Sequence, residues 1–411
     1  MLEAIIIRIK KIKVTAGLIV ALFLMGVLNM RPAIVGQFMG SLYLGILVTL
    51  LLLGIFMRPI LYVHRFRSFF FLSGIVFLAY VILQIPILNL TSYKVGFGAS
   101  VYLLFGYITV LICNKDDIKI FVKLFILLNV LFGISYLVSY ALYISVGLYL
   151  PLFNIALSNS DKTSYVLPVL FPYSPVYNGI AAFAGYFMPR AIGFMREPGI
   201  YQLMVIIAFW LNSFYDFKLK RAITIILIFT LLFTFSTTGY ALLLLTLFWK
   251  YFRGAKKGRR FLYYSIGIPL IAGLFFLLLT SESQFGLQEK LDAKSGSSRI
   301  FSILASKYYL EKSPYFGIGF RNDPDAIELG INFIGTTAQL GIVGTLIILI
   351  PFVFVGVKLI KSKVELVNIY LALIATMLIA QPIVDKPFTF LFLSILVIMS
   401  EKSNTRISNE K

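Results

Sequence analysis

The chain has 411 residues, 60% of them hydrophobic and only 13% charged, with a mean hydropathy of +0.93. A soluble domain of this length cannot hide that much apolar surface, so the solvent of most of the chain is lipid. The net charge of +20 raises nucleic acid as a partner, while a lone Cys113 and a lone His64 exclude an internal disulfide, a cysteine-rich metal site and a histidine cluster.

Many apolar runs reach the roughly 20 residues that cross about 30 Å of hydrocarbon at about 1.5 Å per residue. They are continuous rather than alternating, which points to helices and not barrel strands. About 12 spans are expected, at 14–30, 37–57, 68–88, 96–113, 120–146, 199–216, 221–236, 238–252, 261–280, 332–356, 364–381 and 386–400. The basic amino terminus runs into a full-length span without a small-residue cleavage site, so a cleaved signal is not expected. One set of joining loops is short and basic: Arg8 to Lys13, Arg58 to Arg67, Lys115 to Lys123, Lys218 to Arg221, Lys250 to Arg260, Lys358 to Lys363 and Lys402 to Lys411. The positive-inside rule makes these cytoplasmic, together with both termini. The basic excess is then a topology signal, and no nucleic-acid partner is expected. The reading is one all-α integral membrane domain over 1–411.

Two long loops fall on the opposite side, at 147–198 and 281–331. Loops of this length are usually functional. The helix pair 221–236 and 238–252 turns at Ser236-Thr237-Thr238-Gly239. Its arms rise only about 22–24 Å, which predicts a turn below the membrane surface and an outward-facing depression; ordinary hydrophobic mismatch is the alternative.

The first long loop ends in Pro189-Arg190-Ala191-Ile192-Gly193-Phe194-Met195-Arg196-Glu197-Pro198-Gly199. Charge is costly at the mouth of a span, so a cluster there is a site candidate. Arg190 and Arg196 have the fork geometry that grips phosphate oxygens, or that contacts lipid headgroups. Pro198 suits the first turn of the next helix, which puts Glu197 near its N-cap, as a capping carboxylate or as a general base for an incoming hydroxyl. The same loop carries Pro151, Pro168, Pro172, Pro175 and Pro189 among Phe153, Tyr165, Phe171, Tyr173 and Tyr177, which reads as an aromatic belt or as faces that stack on sugar rings.

In the second long loop, Ser297-Ser298-Arg299 opens a helix to about Glu311 whose apolar stripe is Ile300, Ile303, Leu304 and Tyr308. Such a helix lies on the membrane or caps a cavity. Lys312-Ser313-Pro314 stops it. Gly317 and Gly319 follow, where backbone N–H groups can approach a ligand, then Arg321. Asp323, Asp325 and Glu328 read as a solvated loop, and no metal is expected.

The segment Arg190–Gly199, the turn at 236–240, Arg299 before a helix, the run Pro314…Gly317-Ile318-Gly319-Phe320, and Asn332-Phe333…Gln339-Leu340-Gly341-Ile342-Val343-Gly344 together resemble bacterial O-antigen polymerases, within the wider O-antigen polymerase and ligase superfamily. The resemblance covers about 185–350; the N-terminal half matches in hydropathy alone. It implies a fold like that of the polytopic, metal-independent glycosyltransferases of the C type (GT-C), needing no cofactor. It implies undecaprenyl-diphosphate-linked oligosaccharides as donor and acceptor, joined on the periplasmic face of the bacterial inner membrane during lipopolysaccharide biosynthesis, with a chain-length regulator as partner. A diphosphate donor fits the arginines and a sugar hydroxyl acceptor fits a base. Glu197, Arg196 and Arg321 are therefore the expected catalytic residues, and Arg190, Arg196, Arg299, Arg321, Gly317 and Gly319 the expected diphosphate site. Ligases usually carry a histidine where this chain has Ile331, and commonly an arginine where it has Thr238, so polymerase is favoured over ligase. A ligase, a capsule or exopolysaccharide polymerase, and a lipid-linked-sugar flippase or transporter are the alternatives. A flippase needs charges near the bilayer midplane, whereas here they gather at one mouth.

Overall fold

The computed structural model describes residues 18–22, 65–90, 93–146, 151–158, 164–170, 174–183, 186–195, 197–215, 217–254, 294–320, 333–380, 383–384, 386 to 400 and Glu401. The expected spans 14–30, 37–57 and 261–280 lie outside these residues, except for a helical stretch at 18–22.

The described chain is mostly helical. It runs α1 (Arg65–Ile87), α2 (Tyr93–Ile112), α3 (Lys115–Val146), then β1 (Pro151–Ser158), β2 (Ser164–Leu170), β3 (Ser174–Phe183) and β4 (Tyr186–Ala191). It continues as α4 (Pro198–Phe214), α5 (Lys220–Leu232), α6 (Thr237–Gly254), α7 (Lys294–Lys312), α8 (Phe333–Leu359), α9 (Val364–Ala375) with a wider turn at Thr376–Ala380, and α10 (Pro387–Ser400). Among the described residues, three helices are long and apolar enough to cross a membrane: α1 from Arg67, α3 and α8. Segments of α2, α4, α9 and α10 are apolar but shorter. The protein is membrane-embedded.

The four strands correct the expectation of an all-α chain, and they fall within the first long loop. They form one antiparallel meander in the order β1-β2-β3-β4, with Ser158 opposite Ser164 at the first turn and Phe183 opposite Tyr186 at the last. The five prolines forbid a helix through this stretch, because each removes an N–H and clashes with the preceding turn. The β-branched and aromatic residues between them favour strands.

α4 and α10 are buried around nearly their whole circumference, as helices that are apolar on every side should be. α1, α3 and α8 keep an exposed apolar face, with Leu72 and Leu83, Leu127 and Leu131, and Leu346 and Val353 pointing outward. That is the expected distribution for a bundle whose rim is solvated by lipid.

One end of the bundle is tied by charge. The Arg67 guanidinium grips the Glu401 carboxylate at both oxygens, at 2.9 and 2.7 Å, and also donates to the Val110 and Cys113 carbonyls. The Lys115 ammonium donates to the Glu401 carbonyl, and Lys358 lies 4.0 Å from its carboxylate. This network gathers the start of α1, the α2–α3 junction and the ends of α8 and α10. Chain direction then places Ile87, Val146, Phe333 and Pro387 at the far end. The Phe194 and Phe233 rings pack at a tilt against Phe132, Tyr136 and Tyr140 in the second half of α3, so the start of α4 and the α5–α6 turn also belong to the far end.

α8 is broken at Gly341 (φ 65°, ψ −178°). The break orphans several backbone groups, and the stretch following α7 supplies their partners. The N–H groups of Ile318 and Gly319 donate to the Ala338 and Gln339 carbonyls, both at 3.1 Å. The N–H groups of Ile342 and Val343 donate to Pro314 (2.8 Å) and Tyr315 (3.2 Å). A Cβ at Gly341 would strike the Tyr315 carbonyl, in a conformation that L side chains already disfavour by about 1–2 kcal/mol. Gly341→Ala therefore lowers the thermal midpoint of the detergent-purified protein. Gly98→Ala, at a helical position with open space around it, leaves the midpoint unchanged or raises it slightly.

Candidate functional site

The far end holds the pieces that the sequence marked. β4 ends at Arg190 and Ala191, and both are used on the short turn between α5 and α6. The Ala191 N–H donates to the Phe233 carbonyl at 2.9 Å. Arg190 donates through Nε to the Thr234 carbonyl at 3.0 Å and through Nη2 to the Phe235 carbonyl at 2.9 Å. The Tyr240 hydroxyl donates to the Leu232 carbonyl, which also receives the Phe235 N–H. The carbonyls from Leu232 to Phe235 are thus closed one by one, two of them by the Arg190 cation at the negative end of the α5 dipole.

α5 has 13 residues and rises about 20 Å, whereas α6 has 18 and rises about 27 Å, longer than the arm expected from sequence. The end of β4 is bonded to the turn between them, where the sequence led to the expectation of a depression. Arg190, expected to grip a diphosphate, has two of its three guanidinium nitrogens committed to backbone carbonyls.

Glu197 falls at the N-cap of α4 with extended backbone (φ −132°, ψ 139°), and Pro198 opens the first turn, as the sequence predicts. The Glu197 carboxylate makes no capping hydrogen bond; the Glu197 carbonyl receives the Ile200 and Tyr201 N–H groups at 3.2 Å. The side chain is half-buried. Between Arg190 and Glu197 the chain turns through Gly193 (φ 55°), where a Cβ would collide with the Tyr201 ring.

α7 covers Lys294–Lys312, slightly longer than predicted. Its apolar stripe faces away from the protein, with Ile303, Leu304 and Tyr308 exposed and Ser306 buried. The Lys312 ammonium lies 4.4 Å from the Tyr308 ring centroid, and the phenol beside it raises the pKa of Lys312. Arg299 lies on the first turns of α7.

The two glycines of the second loop correct another expectation. Gly317 donates its N–H to the Ser313 carbonyl at 2.9 Å and Gly319 donates to Gln339. The Gly319 amide joins the stretch to α8, and the Gly317 amide closes a turn on the residue that follows α7. Gly317 (φ 69°) is there because a Cβ would strike the Gln339 carbonyl.

Arg196, Arg321, Asp323, Asp325 and Glu328 lie outside the described residues, as does the side chain of Arg299. Sequence reading passed over Gln202, one turn beyond Glu197. It is fully buried, neither end of its amide has a hydrogen-bond partner among the described residues, and its Oε1 would lie 2.5 Å from a Cβ at Gly239. The available signal was a lone amide in an apolar span, one turn past a charged N-cap.

No known protein family, curated protein or solved structure matches this chain.

Arg190→Ala strands the Thr234 and Phe235 carbonyls at a cost of about 1–3 kcal/mol per buried group. The ligand-free variant should unfold at a lower temperature than the parent, with Arg190→Lys in between. An arginine that acted on ligand alone would leave the ligand-free midpoint unmoved.

Proposed function

We propose that this chain is a membrane-embedded polysaccharide polymerase of the O-antigen type, which joins undecaprenyl-diphosphate-linked oligosaccharide repeats at the periplasmic face of the bacterial inner membrane. The observation that carries the reading is the placement of the two marked segments. Residues 190–197 and 313–320 are both fastened to helix ends at the far end of the bundle, opposite the Arg67–Glu401 network. In this reading the network end is cytoplasmic, in keeping with the basic loops that converge on it.

In the reaction, a sugar hydroxyl of the incoming lipid-linked repeat attacks the anomeric carbon of the growing chain. The new glycosidic bond forms as the bond to the lipid diphosphate breaks, and the diphosphate leaves with the electron pair. Arg196, Arg299 and Arg321 hold that diphosphate and neutralise its developing charge. Arg190 holds the first segment on the α5–α6 turn. Glu197 accepts the hydroxyl proton or orients the hydroxyl; its lack of a capping bond is compatible with either task. Lipid-borne substrates explain a site at the membrane face, and no metal or cofactor is invoked. A chain-length regulator is the partner this reading implies.

Arginine is required at the diphosphate because its planar fork binds two oxygens at once, which lysine cannot do. Lysine at Arg196 or Arg321 should abolish long-chain polysaccharide in cells while folded protein persists in the membrane. A normal chain-length ladder from an Arg196→Ala, Arg321→Ala double variant contradicts the reading. Purified protein given lipid-linked repeats should make dimers and longer chains; a change of sidedness without polymer indicates a flippase.

A further inference from the structure

α1 belongs to the half of the chain in which sequence reading singled out no residue for the site. Its last two turns nevertheless carry two polar side chains, Tyr80 and Gln84, and both are buried. Both reach the stretch Pro314–Phe320. The Gln84 amide is used at each end: Nε2 donates to the Phe316 carbonyl at 2.5 Å, and Oε1 accepts the Phe320 N–H at 3.3 Å. Nε2 also lies 3.3 Å from the Gln339 carbonyl and 3.4 Å from the Tyr80 phenol. The Tyr80 hydroxyl donates to the Leu340 carbonyl, the last one before the break in α8. One side chain therefore spans 316 to 320 as a brace, and its neighbour closes the broken helix behind it.

Phe320 is held at three points. Its N–H is on Gln84, its ring stands edge-on to Phe77 with centroids 5.6 Å apart, and its carbonyl presses on Gly96 of α2 so closely that no Cβ fits there. An amide in a membrane helix is costly to bury unless both of its ends are bonded, and here both ends are. The brace is not what folds the stretch, because Ile318 and Gly319 are bonded to α8 independently of it. Its removal shifts the stretch rather than unfolding it, and a misplacement of about 1 Å at a reacting centre can cost on the order of 100-fold in rate.

We propose that Gln84, seconded by Tyr80, is a positioning residue: it fixes where Pro314–Phe320 sits against the far end of α8, and activity depends on it without its touching substrate. The functional half rests on the polymerase reading; the positional half does not. Gln84→Leu removes both bonds. Gln84→Glu keeps them when its carboxyl is neutral, since the acid O–H donates to Phe316 and the other oxygen accepts from Phe320. Its carboxylate cannot donate. The surroundings of position 84 are the backbone of the stretch, the backbone of α8 at Gln339 and Leu340, and the Tyr80 phenol; phenols stay neutral below about pH 9.

The test uses the full-length protein with Cys113→Ala and a reporter thiol at Ile318→Cys. Gln84→Leu should speed maleimide labelling of the reporter about ten-fold in protein that still elutes as a folded species. It should lower kcat on lipid-linked repeats by about 100-fold while moving KM less than about three-fold. Relative to the parent measured at the same pH, because a thiol labels faster in every variant as pH rises, Gln84→Glu should match it in protection and activity at low pH and fall behind it as pH rises. Labelling of the Gln84→Leu protein at the parental rate, or a Gln84→Glu profile with the parental pH dependence, overturns the proposal. A parent that makes no polymer at all overturns the polymerase reading, and the labelling rates then still decide the brace.

Discussion

Inside hydrocarbon, a peptide N–H or C=O that loses its helical partner has no water to turn to. Among the described residues near the far end, the helical ladder is interrupted at Gly341 in α8 and at Thr234–Ser236 between α5 and α6. Each interruption is closed by a stretch of one of the two long loops. Pro314 to Gly319 supplies donors and acceptors to both sides of Gly341. Arg190 and Ala191 supply three donors to the carbonyls that end α5. The loops are therefore seated by the requirement that every backbone group in lipid be paired. A chain that places its functional groups on loops gains rigidity from this, because the loop backbone becomes part of the helix ladder.

The two ends of the bundle are held by different means. At one end a single carboxylate, Glu401, collects Arg67 and Lys358, with Lys115 on its carbonyl, and so ties four separate stretches of chain. Removing one member of such a buried pair leaves an uncompensated charge, so this end is expected to tolerate little change. At the far end the fastening is mostly backbone-directed, with Arg190 used on the α5–α6 turn. This difference is in keeping with the proposed reading, in which one face of the membrane anchors the protein and the other receives charged substrate.

Much of the helical frame was legible from sequence. α1 to α6 and α8 to α10 fall on expected spans within a few residues, because a run of about 20 apolar residues has one solution in lipid. The extent of α7, the N-cap position of Glu197 and the first-turn position of Pro198 were legible for local reasons: capping and proline geometry act over a few residues. The β-meander was not read, since its prolines and aromatics were taken as loop and belt, and strand pairing is a non-local property. Gly317 and Gly319 stand out by residue type, and in the structure their N–H groups meet protein carbonyls. A positive φ is written in the residue type, but what the neighbouring N–H meets is not. Arg190 and Gln84 show the same limit. A polar side chain in an apolar stretch marks a position that needs a partner, and only the fold says whether it meets a carbonyl 44 or 232 residues away.

The central claim is that guanidinium groups from two separate loops converge on one diphosphate. A cryo-electron microscopy map of the protein in lipid nanodiscs with undecaprenyl diphosphate tests it most directly. The account predicts density for the diphosphate at the far end of the bundle, within hydrogen-bond distance of Arg196 and of at least one of Arg299 and Arg321. A diphosphate bound at the Arg67–Glu401 end, or arginines of the two loops pointing apart with tens of ångströms between them, contradicts it.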